Sequence, residues 1–565
     1  MGRRLRWLAP LLVLALLTAA CGSLFDEASD ETEPLPPDEA KERLGELADD
    51  IDWQERIITE SASIELGGAT ELSDTLPPID QFPIVVQGDR NATTAEIWAS
   101  TEKSGEDTDG WLREVAEDFN DEGVTLSDGS RAAVDIRSIA SGTAYQFIAG
   151  GRDVPAGYSP SNQLWIEMAA TETTMTEISP QLVPNVAGLV MKDETAEQLR
   201  NTYPTVDAAA IIDAVINGEI VMGYTNPFAS STGLNFLLTV LDEFAEGDES
   251  RLTSPDVASV FEEFQQRVPF VALTTLQLRD SVENESGTLD AFVMEWQTFT
   301  NTDELRDGFQ FFPFGVRHDN PLYAVGTVSA AEQEVMEAFA AFATSSDAQN
   351  NATGFGFDPP DYTSDVAVPS GETLIEAQGI WKEKKDGGRP VTAVFVVDKS
   401  GSMLGTRMNA LRQAMSSATG FIGEENSVGV VEFDDTAYLR LPIDEFDLNQ
   451  EGRFTALTGQ LEAAGGTAMY DGIVLGLDML NQAEVADPDT KPILIVLTDG
   501  EVTDGLRFDE VDEMIAGLRI PVYTIGFEAN LAELGQLSSL VEAASVNASE
   551  DNVEFQIASL FNATV

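Results

Sequence analysis

The stretch TAVFVVDKSGSM, residues 392–403, decides how the C-terminal part of the chain is read. Residues 393–397 are apolar without a break and run straight into Asp398; Ser400 and Ser402 follow at alternate positions around Gly401. An uninterrupted apolar run is the pattern of a central parallel strand, covered by helices on both faces. Ligands of α/β sheets bind beyond the carboxyl ends of such strands, so one acid and two hydroxyls stand where a site belongs. MNALRQAMSSATGFI, residues 408–422, reads as the helix that returns over the sheet. Further on, AGGTAMYDGI (464–473) puts Thr467 in a glycine-rich loop before another helix, and PILIVLTDG (492–500) ends a second buried strand in Thr498, Asp499 and Gly500. Three loops on one sheet edge thus offer hydroxyls and carboxylates only. Oxygen-only ligation, with neither histidine nor cysteine, suits a hard divalent cation such as Mg²⁺, or Mn²⁺ or Ca²⁺.

The D-x-S-x-S pattern, with GGTAMYDG and LTDG at the following strand and helix ends, resembles the metal-ion-dependent adhesion site of von Willebrand factor A domains. SVGVVEF, VYTIGFE and the closing FQIASLFNAT fit the remaining order, so the resemblance covers residues 389–565. It implies a doubly wound, Rossmann-like fold and a metal held by Asp398, Ser400, Ser402, Thr467 and Asp499. It also implies recognition of a protein partner that supplies an Asp or Glu to the metal.

Outward from this half, residues 93–362 alternate strand and helix patterns, which implies parallel sheets with helices on their faces. TTAEIWAS and AAVDIRSI read as strands; SGTAYQFIAGG (141–151), with Ser141 as N-cap, and SSTGLNFLLTVLDEF (230–244) read as helices with hydroxyl-rich starts. Such starts bind anions or carbonyl oxygens, or simply cap the helix. Taken in order, Ser100-Thr101, SGT, GYTNPFASSTG, DAFVMEWQ and FFPFGVRHDNPLY resemble bacterial extracellular solute-binding proteins of the type II group. The resemblance implies a two-lobed, periplasmic-binding-protein-like α/β domain. It puts Ser100, Thr101, Ser141, Thr143, Tyr224, Asn226 and Ser231 near the cleft. Glu295 departs from that pattern; a buried carboxylate there repels an oxyanion and suits a cationic, zwitterionic or polyol ligand. His318 is the only histidine, in a loop entering a crossing strand, and without a second one no Ser-His-Asp or Cys-His catalytic set exists. The sequence therefore reads as non-enzymatic.

Compartment and charge follow. Residues 1–20 carry a basic start, MGRRLRW, and an apolar run too short to span a bilayer comfortably. LTAAC then resembles a bacterial lipoprotein signal, with Cys21, the single cysteine, as the lipidated residue. The expected location is outside the cytoplasmic membrane, anchored by lipid. Residues 21–92 read as an acidic tether and irregular lead-in, and 363–388 as a helix and linker bearing Lys382, Lys384 and Lys385. With 98 acids against 31 bases, the net charge of −67 disfavours nucleic acid and anionic surfaces. The reading is a lipid-anchored surface protein: its C-terminal domain grips a protein partner through metal, and its cleft captures or senses a small solute. The alternative is the solute-binding component of an ABC-type transporter whose C-terminal domain docks to the permease or an assembly.

Overall fold

The computed structural model describes residues 34–62, 72–268, 289–500, 502–527 and 552–564, with isolated positions in the intervals between. The signal segment and Cys21 lie outside the described residues. The fold is mixed α/β, and its described strands form three sheets.

The C-terminal sheet is ordered β1-β15-β14-β13-β16-β17-β18. Its centre is β13 (Val391–Asp398), buried along its whole length as the apolar run requires. β13 pairs in parallel with β14 (Ser427–Phe433) and β16 (Lys491–Thr498), and β16 with β17 (Val522–Phe527), which pairs with β18 (Ser545–Ala548). β15 (Ala437–Glu445) runs antiparallel to β14.

The strand outside β15 comes from the far end of the chain. β1 (Trp53–Glu55) pairs in parallel with β15, and the register continues in the bonds from Arg56 N to Leu439 O and Ile58 N to Arg440 O, both 2.9 Å. Of the segment read as tether and lead-in, residues 34–62 form a helix and an edge strand of this sheet, and Ile84–Val86 is a strand in the sheet of the first lobe. The helix, Pro37–Asp50, has proline at its first turn and buries Ala40, Leu44, Leu47 and Ala48. That spacing is one stripe of a 3.6-residue period. The stripe packs on helices Met469–Ala486 and Asp512–Leu518. Acids fill its exposed face, while four small or aliphatic residues suffice for the buried one. The rest of the solute-binding-like region is therefore inserted between two pieces of one sheet.

That region has two lobes. The first carries the sheet β2-β4-β3-β5-β12-β6, built from Ile84–Val86 (β2), Thr93–Ala99 (β3), Ala132–Ser138 (β4), Gly157–Ser159 (β5), Met175–Ser179 (β6) and Leu322–Val325 (β12). The second carries β11-β7-β10-β8-β9, from Ala187–Lys192 (β7), Met222–Thr225 (β8), Val271–Ala272 (β9), Ala291–Glu295 (β10) and Phe309–Phe314 (β11). Chain segments 180–186 and 315–321 cross between the lobes.

The helix Gly371–Lys384, expected as part of a linker, is a brace. It packs against helix Leu164–Glu172 of the first lobe and against Ser231–Phe244 and Pro255–Gln265 of the second. Trp381 is fully buried; its Nε1 donates to Tyr224 Oη (2.7 Å), and Gln378 Nε2 donates to Pro227 O (2.7 Å). Its basic end is bound: Lys384 pairs with Glu262 (3.2 Å), and Lys385 and Lys491 hold Asp386 at 2.7 and 3.3 Å. Burial raises the Asp386 carboxyl, but the two ammonium groups outweigh it and hold the group below its ordinary value of 3.8. Lys491 begins β16, so this cluster ties the brace to the C-terminal sheet.

Candidate functional site

At the carboxyl edge of the C-terminal sheet, β13 delivers Asp398 into a buried position. Its Oδ1 accepts from Ser400 N (2.7 Å) and its Oδ2 from Thr498 Oγ1 (2.6 Å), which joins the first loop to the end of β16. Ser400 and Ser402 share a hydroxyl hydrogen bond of 2.8 Å; Ser400 is buried and Ser402 exposed. The third loop is docked by backbone: Gly401 N donates to Gly465 O (3.0 Å) and Ala464 N to Lys399 O (2.8 Å). Gly465 has φ +83°, a left-handed conformation that costs a side-chain-bearing residue energy. This turn carries Thr467 to the same edge, where it is buried and its N–H donates to Thr503 Oγ1 (2.9 Å).

Asp499 closes the arrangement. Its Oδ2 lies 3.3 Å from Arg407 Nη1, while its buried Oδ1 has no hydrogen-bond partner. An orphaned buried carboxylate oxygen is costly unless something binds it. Burial pushes the Asp398 carboxyl up to about 6; bonds from Thr498 and Ser400 oppose this, and the charge of Asp499 adds to it. Two acids ringed by hydroxyls, one of them paired with Arg407, fit a hard divalent cation. Lys399 does not compete, since its ammonium pairs with Asp434 and lies 4.3 Å from the Tyr438 ring centroid. Among the described residues no three or more His, Cys, Asp or Glu side chains gather as a metal cluster. This set holds two acids; its other oxygens are hydroxyls.

Of the residues expected at the cleft, Ser100, Ser141, Tyr224, Asn226 and Ser231 each have a side-chain polar atom bound within the chain. Ser100 Oγ accepts from Lys103 Nζ (2.6 Å) and from Ser161 Oγ (3.1 Å). Thr101 is half-buried at the start of a four-residue helix. Ser141 is not the N-cap of its helix; Ala140 is, and Ser141 Oγ accepts from Ser161 N at 3.4 Å. The helix end meets the other lobe directly, because Gly142 N donates to Ala229 O (3.1 Å). A Cβ on Gly142 would stand 2.1 Å from Phe228 O, so only glycine admits this approach. Thr143 is buried beside it. Tyr224 turns away from the cleft to Gln265 (2.9 Å) and Trp381. Asn226 Oδ1 accepts from Phe228 N (2.8 Å), and Ser231 receives Trp165 Nε1 on its hydroxyl (3.0 Å) and Asn162 Nδ2 on its carbonyl (3.1 Å). Ser230, one residue earlier, is a plain N-cap, accepting from Gly233 N.

Glu295 was expected to face the ligand; instead it is fully engaged. Its Oε2 accepts from Asn185 Nδ2 (2.6 Å), and its Oε1 from His318 Nδ1 (2.8 Å) and Thr232 Oγ1 (3.5 Å). His318 Nε2 meets the amide nitrogens of Asn162 and Asn235 at 3.0 and 3.1 Å. Backbone bonds orient both amides: Asn235 exchanges two with Val316, and Asn162 Oδ1 accepts from Leu164 N. Both amides therefore donate, Nε2 accepts, and Nδ1 carries the proton. The imidazole on the crossing segment links the first lobe to the second.

Sequence reasoning passed over Glu102, Lys103, Asn162, Asn235 and Arg407. The only signal for the first two was position, a charged pair after the Ser100-Thr101 that follows β3. The asparagines carry no local signature, because their partners lie 69–156 residues away.

Comparison with known proteins agrees with this division. Residues 104–358 match the family model described as bacterial extracellular solute-binding protein, and residues 393–562 match that of the von Willebrand factor type A domain. The two halves of the chain are thus similar to a solute-binding domain and to a von Willebrand factor A domain, families that are generally binding modules. Domains of the latter family commonly bind a divalent metal.

Relatives in sequence include inter-alpha-trypsin inhibitor heavy chain H1 of Mesocricetus auratus, 30% identical over 24% of this chain and 16% of that protein. Another is the uncharacterized protein sll0103 of Synechocystis, 25% identical over 30% of this chain and 39% of that protein. The chain spans a minor part of these relatives' length. Among solved structures, the sulfate-binding protein SubI of Mycobacterium tuberculosis is 17% identical, with a TM-score of 0.34 over 48% of this chain and 88% of that one. A von Willebrand factor type A protein of Catenulispora acidiphila is 18% identical, with a TM-score of 0.28 over 31% and 42% of the two chains. No helix among the described residues is long and apolar enough to cross a membrane.

Proposed function

We propose that this protein is an extracytoplasmic binding protein, anchored through lipidated Cys21, that grips a protein partner at the rim of its C-terminal sheet and captures a small solute between its lobes. The units are residues 93–362 for the solute and 389–565, completed by the described segment 34–62, for the partner. The observation that carries the first role is the unpartnered buried Oδ1 of Asp499 beside Asp398. Asp398, Ser400, Ser402, Thr467 and Asp499 would hold Mg²⁺, Mn²⁺ or Ca²⁺. Bound there, such a cation supplies a strong acceptor for a carboxylate from outside. The chain's own part is to keep that edge rigid and polar. Asp398 and Thr498 lock two loops together, the Gly465 turn carries the third, and exposed Ser402 marks the open side. Neutral hydroxyls leave a divalent charge only partly balanced, which favours an Asp or Glu from a partner.

Differential scanning calorimetry of wild type and Asp398→Ala in Mg²⁺ and in EDTA tests this reading. Metal at 100 times its dissociation constant stabilises a folded site by about 2.7 kcal/mol. We expect that gain in wild type only, with Mg²⁺-dependent capture of a partner lost in Asp398→Ala. Equal melting of all four samples overturns the metal reading. A captured permease would assign the protein to transport.

A further inference from the structure

We propose that the closed inter-lobe cleft holds a small primary ammonium ligand, with the Glu102 carboxylate as its counter-ion. This rests on the solute-binding reading above and names the ligand class of that site.

Three observations carry it. First, Glu102 is buried to nine-tenths and its Oε2 has no hydrogen-bond partner; Ser159 Oγ, at the end of the neighbouring strand β5, is buried and likewise unpartnered. Second, the local charge is unbalanced. Among the described residues, Glu102 shares the boundary with Glu295 and Asp109, while Lys103 and Arg279 are the bases; Arg279 pairs with Asp109 at 3.1 Å. Three carboxylates against two bases leave one negative charge, which a monocation closes. Lys103 does not neutralise Glu102 by contact, since its ammonium donates to Ser100 Oγ and to Ser159 O (2.8 Å). Third, the backbone donor that an oxyanion would need at the helix start is already in use, Gly142 N being given to Ala229 O, and the Ser100, Ser141 and Ser231 hydroxyls each accept a bond from within the chain. An ammonium group instead offers what is missing, N–H donors for an orphaned carboxylate and an orphaned hydroxyl.

The titration of the site has the same sense. Burial, then the charge of Glu295, push the Glu102 carboxyl up to about 7, with Lys103 pulling it down and Asp109 adding to the rise. Burial brings the Lys103 ammonium down to about 7 against the pull of Glu102 and Glu295. Lowering the pH neutralises the one and charges the other, and both changes oppose a cation.

Isothermal titration of the full chain with n-butylammonium and ethanolammonium, and with sulfate, molybdate and maltose in parallel, is the test. Wild type should bind an amine, more tightly at about pH 8 than at about pH 6. Glu102→Gln should bind it at least tenfold more weakly and without that pH dependence, and Glu102→Asp should keep part of the affinity. An unchanged calorimetric melting transition of the lobes shows that each variant is folded. Equal amine binding by wild type and Glu102→Gln overturns the proposal. Binding of sulfate, molybdate or maltose without amines overturns the ligand class and leaves the solute-binding reading standing. Binding of none of these probes removes both.

Discussion

At the rim of the C-terminal sheet Ser402 is exposed and Asp499 Oδ1 lacks a partner, whereas between the lobes Ser100, Ser141 and Ser231 are buried and bonded. Both centres use serines, threonines and acids on the carboxyl ends of α/β strands. They differ in who satisfies the oxygens. The rim is assembled from three loops of one sheet, so its polar groups converge on solvent. In the cleft the chain itself supplies the partners that a ligand would otherwise offer: Ser231 takes them from the first lobe, and Ser100 and Ser141 from Lys103 and Ser161 of their own lobe. Hydroxyl-rich helix starts are therefore weak signs of a ligand where a second lobe can close on them. An acid left without a partner after closure is the stronger sign.

Substitutions put this contrast to the test. Trp381→Ala should have the largest effect, since truncating a buried tryptophan costs about 3–5 kcal/mol. It removes the brace's contacts with Tyr224 and Phe228, so the two lobes should melt early while the rim keeps its Mg²⁺ response. Calorimetry resolves the two transitions, and a matching loss at the rim would mean one cooperative unit.

Asp386→Asn comes next. It strips the charge between Lys385 and Lys491, and hydrogen bonds to charged groups contribute about 1.5–3 kcal/mol. The folded-state value of Asp386 is depressed, so its stabilisation is present above its unfolded value and lost as pH falls through the lower folded one. Acid titration of melting, from neutral pH to below 3.8, should show a fall in wild type that Asp386→Asn lacks.

Gly142→Ala forces a Cβ against Phe228 O, and overpacking of this kind costs about 1–3 kcal/mol. The lobes should part, which small-angle scattering reads as an increased radius of gyration, and the rim should not respond. Arg407→Ala should have the smallest effect. Partly exposed ion pairs contribute about 1 kcal/mol or less, so freeing Asp499 should raise Mg²⁺ affinity by about fivefold at most. Titration calorimetry would detect that gain, and a loss would make Arg407 a part of the site.

Much of the rim was legible in the sequence because its chemistry is local. Asp398, Ser400 and Ser402 lie on one turn, and Thr467 and Asp499 follow segments whose apolar or glycine-rich pattern marks a strand end or a loop. The cleft was legible only as a neighbourhood. Ser141 was expected to cap its helix, but the carbonyl of Ala229 arrives from the other lobe and takes the Gly142 N–H. Glu295 was expected to meet a ligand, but His318 meets it first. The docking of the helix Pro37–Asp50 was not legible, because its stripe gains meaning only against the helices that cover it.

The amino-acid order alone thus determined the two α/β units and the oxygen set at the rim, because apolar runs and turn residues act over a few positions. Which carboxylate stays unpaired, and that the first helix and strand belong to the last sheet, was decided by tertiary structure. Hydrogen bonds and charge balance in a buried interface depend on groups hundreds of residues apart, and no short-range pattern records them.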